Sequence, residues 1–513
     1  MSMFSKRLQK AGKTIVGAVL ATSMLSSGQV LAVSNLDKLE QNLRPRYAVG
    51  SEMPRFNLAE RMKHYGVPGV AIAIIKDGRL HEAKGFGVLQ AGNATPVDGD
   101  TLFSVGSVSK VVTAALIHRM QDEGKLNVDR DINDFLKTWK LPDDRKWDDG
   151  KINLRMILSH TAGFNVHGFP DFLPGEELPT VYDTLNGTAP ARTDALRQVY
   201  KPGSRYRYSG GGYTLAQLLV SDVSGKSFED TAKGTLLTPL SMNRSSFENP
   251  LPETVPNVAK AHNRNGEAVA LPRGYEAMPE MAASGFWTSA NELGTLVAAL
   301  IESYRTNEGF LKQATAVDMM TKVATSVHGM GPRLQGSGLK RVFHHGGAND
   351  SYRAWIEGNL ATGDGLVVLT NGSGGNNLYV EIRNAAADTY DWVINEPVLI
   401  PEIKLPEAMM ASYTGTFKPS EEFTKLHREN LIDYFYDMPL IISAENGKLM
   451  VGREGSDRKS ELVPTAGNRF MVPALNGRMG TAELIFHRDG HKNVIGMTLS
   501  NDGKRSYYDY INE

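Results

Sequence analysis

The sequence predicts an α+β chain folded in two parts. Three observations carry this. An early antiparallel hairpin covers residues 70–88. The stretch after it is dominated by helical periodicity. Beyond residues 396–406, with Pro397, Pro401 and Pro406, the pattern changes to short alternating strands.

In chain order, residues 57–65 read as a short helix ending near Gly66 and Pro68. Val70 to Ile75 is an unbroken apolar strand, Lys76-Asp77-Gly78-Arg79 a hairpin turn, and residues 80–88 the returning strand. Val111, Val112, Ala114, Ala115, Leu116 and Met120 form a largely apolar helix with a polar end, stopped at Gly124. Residues 132–136 look helical, and 154–163 a short helix followed by a turn. Residues 164–190, rich in Gly, Pro and aromatics and without a period, read as a long surface excursion able to line a cleft. Helices are expected over 214–223, from Phe228 to near Pro239, and over 291–304 with Ser289 as cap. Val342-Phe343 and 353–356 read as strands, Gly365 to Thr370 as a buried strand, and 379–392 as a closing helix. In the last part, strands are expected at 413–417, 440–443, 448–451, 469–472, 483–487, 494–499 and 506–510, with Asn446-Gly447 and Asp489-Gly490 as hairpin turns. A small barrel is the simplest closure for them.

Several function classes drop out on composition. The 513 residues carry a formal net charge of −1, so nothing directs the chain to nucleic acid or an anionic membrane. With no cysteine there is no disulfide, thiolate metal site or cysteine nucleophile, and no His and acidic spacing suits a metal. At the N-terminus, Lys6, Arg7, Lys10 and Lys13 precede an apolar stretch from Thr14 to about Leu25, and Val30-Leu31-Ala32 supplies a cleavage site. Residues 1–32 read as a secretory signal peptide, and the expected compartment is the periplasm or the cell exterior. An uncleaved anchor is disfavoured, because Thr22, Ser23, Ser26, Ser27, Gly28 and Gln29 interrupt a run that would need about 20 apolar residues. No other segment reads as a membrane span, so none is expected after cleavage.

Chemistry centres on Ser107-Val108-Ser109-Lys110. Residues three apart share a helix face, so a helix opening at Ser107 brings Lys110 over its hydroxyl. A serine needs a neighbouring base, and a lysine serves once burial or nearby positive charge lowers its pKa. A helix N-terminus adds a positive dipole end and free N–H groups. Taken alone, the same residues describe a capping serine and a solvated lysine.

Four further motifs decide between these readings: Leu158-Ser-His-Thr-Ala-Gly163; Pro202-Gly203 with Tyr208-Ser-Gly210-Gly-Gly-Tyr213; Gly285-Phe-Trp-Thr-Ser-Ala-Asn-Glu-Leu293; and Phe343-His-His345-Gly-Gly347-Ala348-Asn349. In content and order they resemble the β-lactamase-related serine hydrolases, which include penicillin-binding DD-peptidases, class C β-lactamases, D-amino-acid peptidases and esterases. The match covers residues 67–392. The resemblance implies an antiparallel sheet flanked by helices, with a helical subdomain, over 33–396. A linker (397–406) and a lipocalin-like barrel (407–513) would follow.

The resemblance also implies roles. Ser107 would be the nucleophile, Lys110 its base and Tyr208 a proton relay, with Tyr206 as a nearby competitor. His345, in an H-x-G motif closed by Gly347, would stand on a strand edge and orient substrate or assist proton movement; His344 is the alternative. The N–H groups of Ser107 and Ala348 would form the oxyanion hole. His160 is expected to be a structural hydrogen-bonder within its turn, and His262 and His328 carry no pattern. Gly210 stands where the family has an Asn that binds a substrate amide. That departure favours an esterase, amidase or peptidase over a dedicated β-lactamase, with D-amino-acid or peptidoglycan-derived peptides among the candidate substrates. A weak β-lactamase or DD-carboxypeptidase, or a catalytically weak envelope binding protein, are the alternatives. No cofactor is implied, the expected partner is a small-molecule or peptide substrate, and the sequence does not define an oligomeric state.

Overall fold

A computed structural model describes residues 34–141, 151–401, 403–422, 438–457, 459–472, 482–501 and 504–511. Residues 1–32, expected to be a signal peptide, lie outside these.

A short helix, Asn35–Glu40, comes before β1 (Tyr47–Val49), and the hairpin of β2 (Gly69–Lys76) and β3 (Arg79–Gly87) follows. β4 (Phe103–Ser104) pairs with β5 (Trp287–Thr288). β6 (Arg333–Gln335), β7 (Val342–Ala348), β8 (Arg353–Asn359) and β9 (Gly365–Thr370) complete an antiparallel sheet in the order β3-β2-β9-β8-β7-β6. β2 shows why the sheet is covered on both faces. Its successive side chains alternate between faces. Ala71, Ala73 and Ile75 enter one core, and Val70, Ile72 and Ile74 another. The helix Ala290–Arg305 covers the first face, and Gly375–Thr389 with Leu58–Tyr65 the second. Asn57 caps Leu58–Tyr65 as its Asx chemistry predicts, and Ser289 caps Ala290–Arg305.

The helix Ser109–Asp122 is buried along eleven of its fourteen residues, the pattern of a helix enclosed on all sides. It runs through the larger core, so its N-terminal end is held by packing on every flank.

β10 (Val398–Ile400) pairs in parallel with β1, so the segment expected as a plain linker contains a strand. The buried Arg44 guanidinium fastens the same junction, with two 2.6 Å hydrogen bonds to Asp388 and one of 2.8 Å to the Asn395 carbonyl.

β11 (Gly415–Pro419), β12 (Leu440–Glu445), β13 (Lys448–Arg453), β14 (Lys459–Ala466), β15 (Arg469–Val472), β16 (Ala482–Arg488), β17 (Val494–Asn501) and β18 (Lys504–Ile511) form a closed antiparallel barrel, each strand next to its neighbour in sequence and β18 paired back to β11. Eight strands enclose a space that side chains can fill. Here Tyr413, Phe417, Phe470 and Phe486 fill it, with ring centroids 4.5–5.6 Å apart.

Several expectations need correction. β14 has no counterpart among the expected strands; its Pro464, beside a register shift, interrupts the alternation. Asp489-Gly490 does not make a two-residue turn: Asp489 N–H donates to the Asn493 carbonyl across a wider loop. Asn446-Gly447 has the positive φ values, 51° and 74°, of the expected tight turn. Residues 132–136 form only a 3₁₀ turn, Ile132–Asp134. The helix expected at 214 begins at Gly210, and the one after Phe228 passes into a π-helical turn, Lys233–Leu237. Residues 164–190 are no simple surface excursion. Phe164, Val166, Asp171 and Phe172 are buried, and Val181–Asn186 is a helix with a Thr180/Asp183 capping box.

Candidate functional site

Gly106 comes before Ser107 with φ +50°, a conformation that costs glycine little. Close approach requires glycine there as well, since a Cβ on Gly106 would lie 2.6 Å from the Ala348 nitrogen. Ser107 sits in the 3₁₀ turn Gly106–Val108, which leads directly into Ser109–Asp122. The buried Ser109 hydroxyl locks the turn. It donates to the Gly106 carbonyl at 2.6 Å and accepts from Phe286 N–H at 3.0 Å.

One helical turn on, Lys110 Nζ lies 3.3 Å from Ser107 Oγ and donates to the Ala283 carbonyl at 2.8 Å. Only 2% of Lys110 is exposed. Burial alone pulls its pKa down from the usual 10.5 to about 7. The ammonium also lies 5.0 Å from the centroid of the Tyr208 ring.

Tyr208 stands just before the helix Gly210–Ser224. His160, expected to bond within its own turn, instead accepts the Ser209 N–H through Nδ1 at 3.0 Å, and its ring lies 4.1 Å from that of Tyr208. It therefore supports the second motif from 49 residues upstream. Tyr206 stacks on His328 at 5.6 Å, whereas the Lys110 ammonium faces the rings of Tyr208 and Tyr213.

β7 closes the opposite side. β6 pairs with it only from Val342 to His344, so His345 to Ala348 run along a free edge. Alternation separates the two histidines. His344 stacks on Trp355 at 4.9 Å, whereas His345 lies 6.4 Å from Tyr208 and 5.6 Å from His328. Gly347 is on the His345 face, where a Cβ would collide with the Val105 carbonyl. His345 Nδ1 bonds the Gly346 carbonyl at 2.7 Å, which assigns the proton to Nδ1 and leaves a lone pair on Nε2. Burial holds the imidazoles of His160, His328 and His345 well below their usual range, that of His328 at about 3, so all three are neutral at pH 7.

Ser107, Lys110, Tyr208, His345, Gly347 and Ala348 are thus brought together, with Gly210 two residues from Tyr208. His262 lies elsewhere, holding Ala91 N–H and the Asn371 carbonyl. Sequence reasoning missed His328, His167 and Phe169. His328 follows no helical or strand period. His167 donates to the Tyr208 carbonyl, and Phe169 fills the space beside Gly210; the Phe-Asn-Val-His-Gly-Phe aromatic spacing was the available signal. Among the described residues no group of three His or acidic side chains could hold a metal.

Comparison with known proteins gives the family. The Beta-lactamase family profile matches residues 56–391, and the chain belongs to that family. Penicillin-binding protein 4 of Amycolatopsis lactamdurans is 32% identical over 209 residues, covering 41% of this chain; the chain spans about half, 51%, of that relative's length. Two solved structures share the fold. The octameric penicillin-binding protein homologue from Pyrococcus abyssi has a TM-score of 0.55 and 23% identity over 88% of this chain and 98% of its own. The Beta-Lactamase/D-Alanine Carboxypeptidase from Pseudomonas syringae has a TM-score of 0.52 and 20% identity over 64% and 96%.

Proposed function

We propose that the protein is a secreted serine hydrolase that cleaves an ester or amide through an acyl-enzyme on Ser107. The observation carrying this is the 3.3 Å approach of a buried Lys110, with its pKa near 7, to the Ser107 hydroxyl. Neutral Lys110 takes the hydroxyl proton as Oγ attacks the carbonyl carbon. The N–H groups of Ser107 and Ala348 receive the developing oxyanion; losing one such donor typically costs about 10²–10³ in rate. Tyr208 relays the proton from Lys110 to the leaving oxygen or nitrogen as the carbonyl bond to it breaks. Water then attacks the acyl carbonyl and gives its proton to Lys110 through Tyr208; the bond between the acyl carbon and Ser107 Oγ breaks, Oγ takes the proton back from Lys110, and the free acid leaves. A buried neutral imidazole is a poor base, so His345 acts through the Nε2 lone pair, orienting a substrate donor. Secretion to the periplasm or the exterior rests on the basic and apolar pattern of residues 1–32.

A second reading, a weak β-lactamase or DD-carboxypeptidase, draws support from the names of the penicillin-binding relatives. Gly210 weighs against it. Intact-mass spectrometry after exposure to a fluorophosphonate, and separately to a penicillin, tests both. A fluorophosphonate adduct absent from Ser107→Ala supports the hydrolase, and a penicillin adduct as well supports the second reading. No adduct with either reagent overturns both and favours a binding protein.

A further inference from the structure

The three glycines that open the helix Gly210–Ser224 have a steric cause. Glycine is a poor helix former relative to alanine, so a run of three at a helix start calls for a cause. A Cβ on Gly210 would lie 2.8 Å from Phe169 Cε2, one on Gly211 2.7 Å from Leu196 Cδ1 and 2.9 Å from Val166 Cβ, and one on Gly212 3.3 Å from Phe164 Cδ2. The glycines make room for the segment 164–169. That segment is fastened to the helix end: the His167 carbonyl accepts Gly210 N–H at 2.9 Å, and the Val166 carbonyl accepts Gly211 N–H at 3.3 Å and the Ser209 hydroxyl at 2.7 Å. The helix donors are therefore taken up by the chain itself.

The segment that follows is fastened beyond the end of β7 as well. Asp171 accepts Asp350 N–H at 3.0 Å, two residues beyond Ala348, and Phe172 pairs with Ala277. Phe169 lies between these two anchorages. Ser209 is extended, with φ −142° and ψ 118°, so Tyr208 and position 210 face the same side of the chain. The half-buried Phe169 ring thus stands at the position a side chain on residue 210 would take, on the Tyr208 side of the chain.

We infer that Phe169 is a specificity-determining residue that turns an amide-reading position into an apolar shelf, so that the preferred substrates are esters or amides with a hydrocarbon acyl part. The inference rests on the Ser107 hydrolase reading. An unbranched or aryl acyl chain packs against the ring, whereas an N-acylated peptide or penicillin finds no amide partner at Gly210 and leaves its own polar group desolvated.

The test compares kcat/KM for p-nitrophenyl hexanoate and p-nitrophenyl acetate in the wild type, Phe169→Leu and Phe169→Ala, with fluorophosphonate labelling of Ser107 as a readout independent of the acyl group. The wild type should favour hexanoate. Phe169→Ala should lower the hexanoate-to-acetate ratio by about tenfold or more, the scale of lost apolar contacts in a pocket. Phe169→Leu, which keeps an apolar filler, should retain most of the ratio. The double variant Phe169→Ala/Gly210→Asn, with room for the amide, should be acylated by penicillin faster than Phe169→Ala. A ratio unchanged or raised in Phe169→Ala, while Ser107 still labels, overturns the inference and leaves the hydrolase reading standing. Failure of the wild type to label overturns both.

Discussion

Lys110 Nζ is 2.8 Å from the Ala283 carbonyl, closer than the 3.3 Å to Ser107 Oγ. The carbonyl takes one N–H and fixes the amine's orientation. The uncharged amine then retains a lone pair for the serine proton, at a distance that can tighten when substrate binds. A backbone carbonyl also holds the lysine without the counter-charge that would keep it protonated.

In the proposed mechanism Lys110 acts as a neutral base, so activity should follow its deprotonation. kcat/KM for a neutral ester should rise with pH through an apparent pKa near 7 and level off above it. Lys110→Ala should lower kcat/KM by about 10²–10⁴ and remove that inflection. Initial rates across pH 5–9 check both outcomes; an unshifted profile in the variant would count against Lys110 as the base.

His160 should matter for support. His160→Ala removes the acceptor of Ser209 N–H and opens a cavity beside Tyr208. The expected loss of stability is about 2–4 kcal/mol by urea denaturation. A displaced Tyr208 should reduce kcat at temperatures where the variant remains folded, by up to about 10²-fold for a shift near 1 Å.

Gly347→Ala should separate the two sides of the site. Its Cβ cannot coexist with the Val105 carbonyl, so either β7 or the Ser107 turn must move. Fluorophosphonate labelling of Ser107 should slow by about 10²-fold or more as an oxyanion donor shifts away. Gly490→Ala, which meets nothing within 4 Å, should leave labelling unchanged and serves as the control.

Asp171 gives a stability prediction with a defined sign. Burial raises its pKa from 3.8 to about 8, against the pull of the Asp350 N–H bond. The folded state therefore keeps a proton that the unfolded chain gives up above pH 3.8. This contribution is fully present below that pH and is lost as pH rises through the window up to about 8. Asp171→Asn keeps an acceptor for Asp350 N–H and cannot ionise. Its Tm advantage over the wild type should grow between pH 4 and 8 and then level off, read by calorimetry. A constant difference would refute the assignment.

The parts of the site that sequence revealed are those written locally or in order. Ser107 and Lys110 are three residues apart on one helical turn, and periodicity exposes that relation directly. Tyr208 and His345 became legible through motif order, and the alternation of β7 separates His345 from His344. Ala283 contributes a carbonyl, which any residue would offer, so no side-chain pattern could announce it. Phe169 and His167 sit in a segment without a period, where position depends on the helix end they are bonded to. The barrel was legible through seven strands. β14, with Pro464 and a polar first half, resembled a loop until its neighbours paired with it on both edges.

The pairing of β1 with β10 brings the beginning and the end of the Beta-lactamase-family part about one strand spacing apart. A cut placed before Val398 would leave Tyr47–Val49 as a bare template for other chains, whereas a cut after Ile400 keeps that edge covered. The practical border of a fragment holding the Beta-lactamase-family part is therefore set by this strand rather than by the prolines around it. Because the ends meet, new termini could be opened elsewhere on the surface without unthreading the fold.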